Sequence, residues 1–177
     1  MRVGDAMTRV VRTCRPEEDL TCAARIMWEW DCGFVPVVDR AGRVAGVITD
    51  RDVCMAAYTK GLPLGSIRVA DVMTRSVVSC SREDAFDVAH SLMRRWRVRR
   101  LPILDPGGKL VGVLSLDDIA RAAGEPSPLE GSEVASTLSV VGEHRSACSL
   151  PPTAAERPVR KSSRVGSLAA RQADVEC

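Results

Sequence analysis

Apolar and polar positions follow two different periods along about the first two thirds of the chain, and these periods predict its helices and strands. From Pro16 to Trp30 apolar residues recur every three or four positions, which predicts a helix with one apolar face. The apolar runs Val35–Val38 and Val44–Ile48 predict strands, because short runs between turn residues are typical of buried strands. A second helix is predicted from Asp50 to Tyr58, and Gly61 is placed to end it.

Further strand, turn and cap signals complete a unit that we predict to be β-α-β-β-α. The pair Val10-Val11 predicts a short strand at the start of the unit, and Val77-Val78 predicts an equivalent strand later in the chain. Residues 39–42, Asp-Arg-Ala-Gly, have the composition of a hairpin turn. Ser81 followed by Asp84 indicates a helix start near residue 81, because a hydroxyl can accept from the free N–H groups there.

The unit occurs twice. Residues 3–53 reappear as residues 69–119, about 66 positions later and without a gap. The matched positions include Asp5-Ala6-Met7-Thr8-Arg9 with Asp71-Val72-Met73-Thr74-Arg75, Cys14 with Cys80, and Trp30 with Trp96. Two copies of about 50 residues usually mean that neither buries its apolar face alone. We therefore predict an α+β (mixed α/β) fold in which both repeats pack as one pseudo-twofold module, with any site between them present as a pseudo-symmetric pair.

The repeats also define the expected domain organisation. Residues 2–60 form the first repeat, residues 61–68 a linker that contains glycine and proline, and residues 69–124 the second repeat. After residue 124 the period disappears, and residues 125–177 are rich in Pro, Ser, Ala and Arg. We expect this tail to be mostly disordered, with a short helix around residues 165–173.

Composition narrows the class of protein. Hydrophobic residues make up 45% of the chain but aromatic residues only 3%, so we expect an aliphatic core. The net charge of +2 argues neither for nor against a polyanionic partner. No apolar run approaches the roughly 20 residues that span a bilayer, and no secretory signal precedes the first repeat. We therefore expect a cytoplasmic protein that has no membrane partner.

The seven cysteines and two histidines show no metal-ligand spacing, so no metal is expected. In a reducing compartment most of these thiols are expected to be small core residues. Cys14 and Cys80 are equivalent repeat positions that a pseudo-twofold axis can bring together, so redox pairing between them stays open. There is also no recognisable Ser-His-Asp set or carboxylate pair, and His90 lies within a helical pattern. We expect no catalytic residues and no enzyme activity.

Three motifs, repeated in register, resemble those of the CBS (cystathionine-β-synthase-type) domain family. They are the Asp-x-Met-Thr start at residues 5–8 and 71–74, the strand Val-Pro-Val-Val-Asp at 35–39, and Gly-apolar-x-Thr/Ser-x-x-Asp at 46–52 and 112–118. The resemblance covers roughly residues 2–123 and looks most like small stand-alone bacterial members of the family.

The resemblance implies both a fold and a function. CBS repeats pack in pairs, and two clefts between them bind adenosine-containing ligands such as AMP, ADP, ATP or S-adenosylmethionine. Two such modules commonly form a homodimer. The chain is therefore expected to be a non-catalytic regulatory module for energy sensing that needs no cofactor and signals to a regulated protein of unknown identity.

The last of the three motifs implies, by resemblance, a ligand role for four residues. Thr49 and Ser115 would meet phosphate or ribose oxygens, and Asp52 and Asp118 would accept hydrogen bonds from ribose hydroxyls. A helix N-terminus beside them offers free N–H groups to a phosphate. The same pairs are also near-capping boxes that need no ligand at all. The two roles are compatible, and both stay open.

Arginines before the strand at Leu101 make the two expected sites unequal. By resemblance to AMP-activated kinase gamma subunits, Arg99 and Arg100 stand where nucleotide sensors place phosphate contacts, a role that suits a permanently charged, bidentate guanidinium. The first repeat has Gly33-Phe34 there, so we expect the second site to bind phosphate better. A solvated helix end is the alternative role for Arg99 and Arg100. It is the expected role of three neighbouring arginines, Arg94, Arg95 and Arg97.

Other features leave alternatives open. Trp30 and Trp96 are expected to pack in the core or at the module interface, with base stacking as the alternative. Val11–Thr13 and Val35 are candidates to line an adenine slot. A ligand-free dimeric scaffold is the alternative function. A third function is nucleic-acid binding through the arginine run at residues 94–100 and the tail, where residues 157–171 are basic and contain no acidic residue. Nucleic acid is nevertheless not the expected partner.

Overall fold

The computed structural model describes residues 2–122 and 135–141, and it contains helices and strands in both repeats. The elements of the first repeat are α1 (Val3–Ala6), α2 (Leu20–Glu29), β1 (Phe34–Val38), β2 (Val44–Thr49) and α3 (Asp50–Lys60). Those of the second are β3 (Cys80–Ser81), α4 (Phe86–Trp96), β4 (Arg100–Leu104), β5 (Leu110–Ser115) and α5 (Leu116–Ala122). Short 3₁₀ turns cover Leu64–Ser66 and Val69–Asp71. The predicted mixed α/β class is confirmed.

Each repeat contains the predicted antiparallel hairpin. β1 pairs with β2, and β4 pairs with β5, so that Arg100 lies opposite Ser115 across the second hairpin. The hairpin turns need Gly42 and Gly108, whose φ angles of 79° and 78° lie in the left-handed region that favours glycine. In the second repeat β3 adds a parallel strand beside β4. The second hairpin therefore brings an arginine and a serine to the same end of one sheet.

In the first repeat the end of α3 lies where the sequence predicts it, but the start of α2 does not. Gly61 ends α3 with a φ of 62°, as its position predicts. α2 begins at Leu20 and not at Pro16, because the Asp19 carboxylate accepts from the Thr21 N–H at 2.9 Å and caps the helix there. The predicted helix was therefore one turn too long at its start.

The start of α4 was also predicted too early. Ser81 and Asp84 do bind each other, since the Ser81 N–H donates to the Asp84 carboxylate at 2.7 Å. This contact closes the turn that precedes the helix, and α4 itself begins at Phe86. Ala85 stands at the N-cap position and has no side-chain oxygen to cap the helix.

The first strand of each repeat does not lie where the valine pairs predict it. Val10-Val11 and Val77-Val78 are outside all strands, and Val10 is 79% exposed. The pairing occurs further on, where Cys14 forms a parallel bridge with Val37 and Cys80–Ser81 forms β3. β propensity alone did not locate the strands, because a strand also needs a neighbouring backbone to pair with.

Each repeat buries the leading segment of the other repeat. Val3 and Met7, from the start of the first repeat, lie in one core with Phe86 and other residues of the second. Val69 and Met73, from the start of the second repeat, lie in a second core with residues of the first. The two copies therefore complete each other's cores, in agreement with the expectation that neither buries its apolar face alone.

Backbone hydrogen bonds fasten both exchanged segments. Thr8 and Val113 donate to each other's carbonyl oxygens at 2.9 Å, and Thr74 and Val47 do the same at 2.9 Å. Each leading segment thus extends the hairpin of the opposite repeat. This exchange sets the chain just after Thr8 beside the end of β5, where the cavity described below opens.

Residues 135–141 form a further helix, α6, within the segment that was expected to be disordered. Thr137 and Val141 are buried, and the Thr137 hydroxyl forms a hydrogen bond of 2.5 Å with Nε2 of His90 in α4. Positions four apart share one helix face, so these seven residues differ from the prediction because one face of α6 packs. The rest of the predicted tail, including residues 165–173, lies outside the described residues. Within residues 2–122 and 135–141, no helix is long and apolar enough to cross a membrane.

Candidate functional site

A cavity of about 470 Å³ opens between the two repeats, and both repeats supply its walls. The first repeat contributes the chain after Thr8 and the residues that follow α2. The second contributes the first residue of β4, the end of β5 and part of α5. The lining residues with polar or aromatic groups suited to a ligand include Arg12, Trp30, Arg100, Ser115, Asp118 and Arg121. The volume suits a small organic ligand.

Ser115 and Asp118 bind each other at the start of α5. The Asp118 Oδ2 atom accepts from the Ser115 N–H at 2.8 Å and from the Ser115 hydroxyl at 2.6 Å. In return the Asp118 N–H donates to Ser115 Oγ at 3.1 Å. The second carboxylate oxygen, Oδ1, accepts from Nη2 of Arg121. These contacts satisfy a carboxylate that is only 8% exposed.

Thr49 and Asp52 repeat this geometry in the first repeat. The Asp52 Oδ2 atom accepts from the Thr49 N–H at 2.9 Å and from its hydroxyl at 2.7 Å. The capping-box interpretation is therefore confirmed at α3, and the same reciprocal contacts occur at α5. Neither Thr49 nor Asp52 lines the cavity, whereas Ser115 and Asp118 both do.

Of the two arginines before Leu101, only Arg100 lines the cavity. Arg100 is the first residue of β4, is half-buried and lines the cavity. Arg99 is exposed and lies outside the lining, and its carbonyl oxygen accepts from the Leu116 N–H at 2.8 Å. Neighbouring residues of an extended chain point in opposite directions, so only one of the two side chains faces the cavity. The other three arginines are exposed around the end of α4, as expected of a solvated helix end; they are Arg94, Arg95 and Arg97.

Trp30 and Trp96 are exposed in this chain, so the expectation of core packing was wrong, while packing at a module interface stays a prediction. Trp30 is 51% exposed and lines the cavity, and the Arg12 guanidinium stacks over its ring at 4.2 Å from the centroid. Trp96 is also exposed, with the guanidinium of Arg95 at 5.7 Å from its ring centroid. Trp30 stands at the C-cap position of α2, and Trp96 is the last residue of α4. Trp30 offers an aromatic edge to the cavity.

Only some of the residues that were candidates for an adenine slot line the cavity. Val11 and the Arg12 side chain line the cavity, but Thr13 does not. Val35 is fully buried in the core of the first repeat, because the middle of β1 faces inward. The residue of that strand that lines the cavity is its first, Phe34.

Several cavity residues were missed by the sequence analysis. Arg121 and Asp117 lie on α5, and Asp31 follows α2 with a φ of 45°. The position of Arg121 three residues after Asp118 was a usable signal, because residues that far apart on a helix are neighbours. The signal for Asp31 was absent, since only the exchanged packing brings the end of α2 to the second repeat.

Cys14 and Cys80 lie in separate cores, which removes the basis for pairing them. Cys14 packs in the core of the first repeat and Cys80 in that of the second, and both are free thiols. Burial raises the pKa of each thiol to about 12. Among the described residues, no group of three or more His, Cys, Asp or Glu side chains could hold a metal ion. His90 is buried against Thr137, in keeping with its expected structural role.

Comparison with known families agrees with this architecture. The family model for the CBS domain matches the chain twice, at residues 3–58 and 69–125, and the chain belongs to that family. The CBS domain-containing protein YhcV of Bacillus subtilis is 36% identical over 118 residues, which span 67% of this chain and 82% of that protein. Inosine-5'-monophosphate dehydrogenase of Methanocaldococcus jannaschii is 34% identical over 121 residues, but these cover only 23% of the enzyme.

Solved structures have the same fold. CBSX2, crystallised in complex with AMP, is 28% identical with a TM-score of 0.63, over 70% of this chain and 96% of that one. The CBS domain pair of protein MJ0100, in complex with 5'-methylthioadenosine and S-adenosyl-L-methionine, is 23% identical with a TM-score of 0.65. It covers 72% of this chain and 98% of that one. The chain is thus a CBS pair, and related pairs hold adenosine-containing ligands.

Proposed function

We propose that this chain is a non-catalytic regulatory module that binds an adenosine-containing ligand in the cavity between its two repeats. The observation that carries the proposal is the joint lining of that cavity. Trp30 and Arg12 come from the first repeat, while Arg100, Ser115 and Asp118 come from the second. A ligand bound there contacts both repeats at once and stabilises the relative arrangement that it fits best.

The side chains on the cavity match the parts of such a ligand. Asp118 accepts from the two ribose hydroxyls, because a carboxylate oxygen can accept more than one hydrogen bond. The Ser115 hydroxyl and the Arg100 guanidinium bind ribose or phosphate oxygens. Trp30, with Val11 and Phe34, offers an aromatic and apolar surface for the base. The AMP held by the related CBSX2 supports this class of ligand, and AMP, ADP, ATP and S-adenosylmethionine are the candidates.

A ligand-free scaffold that forms a homodimer or holds a partner protein is the second candidate. It is favoured by an apolar groove between α2 and α3, lined by Met27, Val53 and Leu64 and bordered by Trp28, which is 88% exposed. Exposed apolar surface of this kind marks interaction sites. Either function is compatible with a regulated protein as partner.

Calorimetric titration of the full chain separates the two candidates. AMP, ATP and S-adenosylmethionine are titrated into the folded protein, and intrinsic tryptophan fluorescence is followed in parallel because Trp30, one of three tryptophans, lines the cavity. Saturable heat with a change in fluorescence is the result expected of the regulatory module. A folded protein that gives neither heat nor a change in fluorescence with any of the three ligands contradicts the proposal and favours the scaffold.

A further inference from the structure

Asp118 and Arg121 form an ion pair on the cavity wall that has no counterpart in the first repeat. Nη2 of Arg121 donates to Oδ1 of Asp118, one turn back along α5. The matching residue of the first repeat is Met55, three positions after Asp52, and its thioether cannot pair with a carboxylate. We propose that Arg121 is a specificity-determining residue, which makes the cavity prefer adenosine ligands with a phosphate over adenosine itself. The inference rests on the proposed function and extends it.

The ion pair can open without loss of the helix cap. The Arg121 side chain is 75% exposed, while that of Asp118 is only 9% exposed. A pair with one partner in solvent is weak, because water competes for the guanidinium. The Ser115 contacts hold the other oxygen, Oδ2. A ribose hydroxyl that approaches Asp118 therefore competes with Arg121 for Oδ1, and the contacts of Ser115 remain.

A phosphate on the ligand supplies the displaced guanidinium with a new partner. A phosphate monoester is an anion near neutral pH, and arginine binds its oxygens with two parallel N–H donors. Arg121 stays at the cavity after the exchange, on the same wall as Ser115 and with Arg100 also on the lining. Adenosine takes the same carboxylate oxygen but leaves Arg121 with water alone. One side chain thus favours the nucleotide and disfavours the nucleoside.

Net charge does not produce this preference. The lining contains the arginines 12, 100 and 121 and the aspartates 31, 117 and 118, so its formal charges cancel. The Arg12 guanidinium is stacked on Trp30, and Arg100 is fixed on β4 opposite Ser115. Arg121 is the lining arginine whose present partner is a group that the ribose is proposed to take. Its placement, and not the total charge, distinguishes the ligands.

The test is calorimetric titration of adenosine and AMP into the full chain and two variants. Arg121→Met copies the first repeat, and because methionine and arginine have similar helix propensities the variant is expected to fold. Arg94→Met removes an exposed arginine outside the cavity and is the matched control for charge. The wild-type chain is expected to bind AMP about tenfold more tightly than adenosine. In Arg121→Met that ratio falls to about threefold, because Arg100 alone then remains on the lining for the phosphate, and adenosine is bound as tightly as before or up to about threefold more tightly.

Each outcome of this test has a distinct meaning. Equal weakening of both ligands in Arg121→Met, or AMP affinity that does not change, overturns the role of Arg121. Equal binding of adenosine and AMP by the wild-type chain overturns it as well but leaves the ligand site standing. Failure of the wild-type chain to bind adenosine, AMP, ATP or S-adenosylmethionine overturns the proposed function together with this inference. Arg94→Met is expected to retain the wild-type ratio.

Discussion

Met7 of the first repeat and Gly112 of the second are packed so closely that no side chain fits between them. A Cβ atom at Gly112 would lie 2.7 Å from Met7 Sδ and 2.9 Å from the Thr8 carbonyl oxygen. Met73 and Gly46 form the equivalent contact, at 2.9 Å. The glycine that opens each Gly-apolar-x-Thr/Ser-x-x-Asp motif is thus needed for the exchange of leading segments, whether or not a ligand binds.

Gly112→Ala is expected to lower the free energy of unfolding by about 1–3 kcal/mol, because the added methyl group meets a backbone oxygen that cannot move freely. The measurement is urea unfolding followed by circular dichroism. Gly65→Ala is the matched control, since its Cβ would meet only Thr21 Oγ1 at an ordinary 3.6 Å. Equal stability of the Gly112 and Gly65 variants would show that the leading segment does not pack as described.

Residues 1–62 expressed alone are expected to be poorly folded or to associate with themselves. This fragment lacks Ile67, Val69 and Met73, which complete the core of the first repeat. It also leaves Val3 and Met7 without the core of the second repeat, in which they are buried. Circular dichroism and sedimentation check the expectation. A monomeric fragment with a cooperative unfolding transition would contradict the shared cores.

The buried thiols predict a loss of stability at high pH. Cys14 and Cys80 have pKa values of about 12 in the folded chain, raised from 9.0 by burial. Between pH 9 and 12 the unfolded chain therefore loses these protons while the folded chain keeps them. The free energy of unfolding then falls as the pH rises through this range. The stability that the two protonated thiols contribute is fully present below about pH 9.

Urea unfolding at several pH values isolates the contribution of the two thiols. It compares the wild-type chain with a double variant that carries both Cys14→Ala and Cys80→Ala. Between about pH 8.5 and about pH 10.5 the free energy of unfolding is expected to fall less in the variant than in the wild-type chain. Exposed Cys54 provides a second check, because it is expected to react with a thiol reagent at about pH 8 before either buried cysteine does. Parallel pH profiles for wild type and variant would contradict the raised pKa values.

Much of the fold was predictable from local patterns. The hairpins, α3 and its end at Gly61 follow from apolar runs and a glycine in the left-handed region, and these signals act within a few residues. The strand predicted at Val10-Val11 failed, because Cys14 is the residue that pairs, with Val37. The exchange of leading segments could not be predicted either. Because the motif is the same in both repeats, it does not indicate whether a leading segment packs on its own repeat or on the other one.

The candidate site was predictable only in part. The Ser115–Asp118 capping box is local, and the sequence indicated it together with its possible ligand role. Whether Arg99 or Arg100 faces the cavity depends on where β4 begins, which sequence patterns do not locate to one residue. Trp30 reaches the cavity only because the first repeat packs against the second, which is a tertiary relationship.

The central claim is that an adenosine-containing ligand binds in the cavity at Asp118, and a matched pair of variants tests it most directly. Asp118→Ala and Asp52→Ala remove the same kind of helix cap, so each is expected to lose about 1 kcal/mol of stability. Only Asp118 lines the described cavity. Calorimetric titration of AMP into the two folded variants is expected to show affinity reduced more than about tenfold in Asp118→Ala and nearly unchanged in Asp52→Ala. Loss confined to Asp52→Ala, or equal affinity in both variants, would contradict the claim.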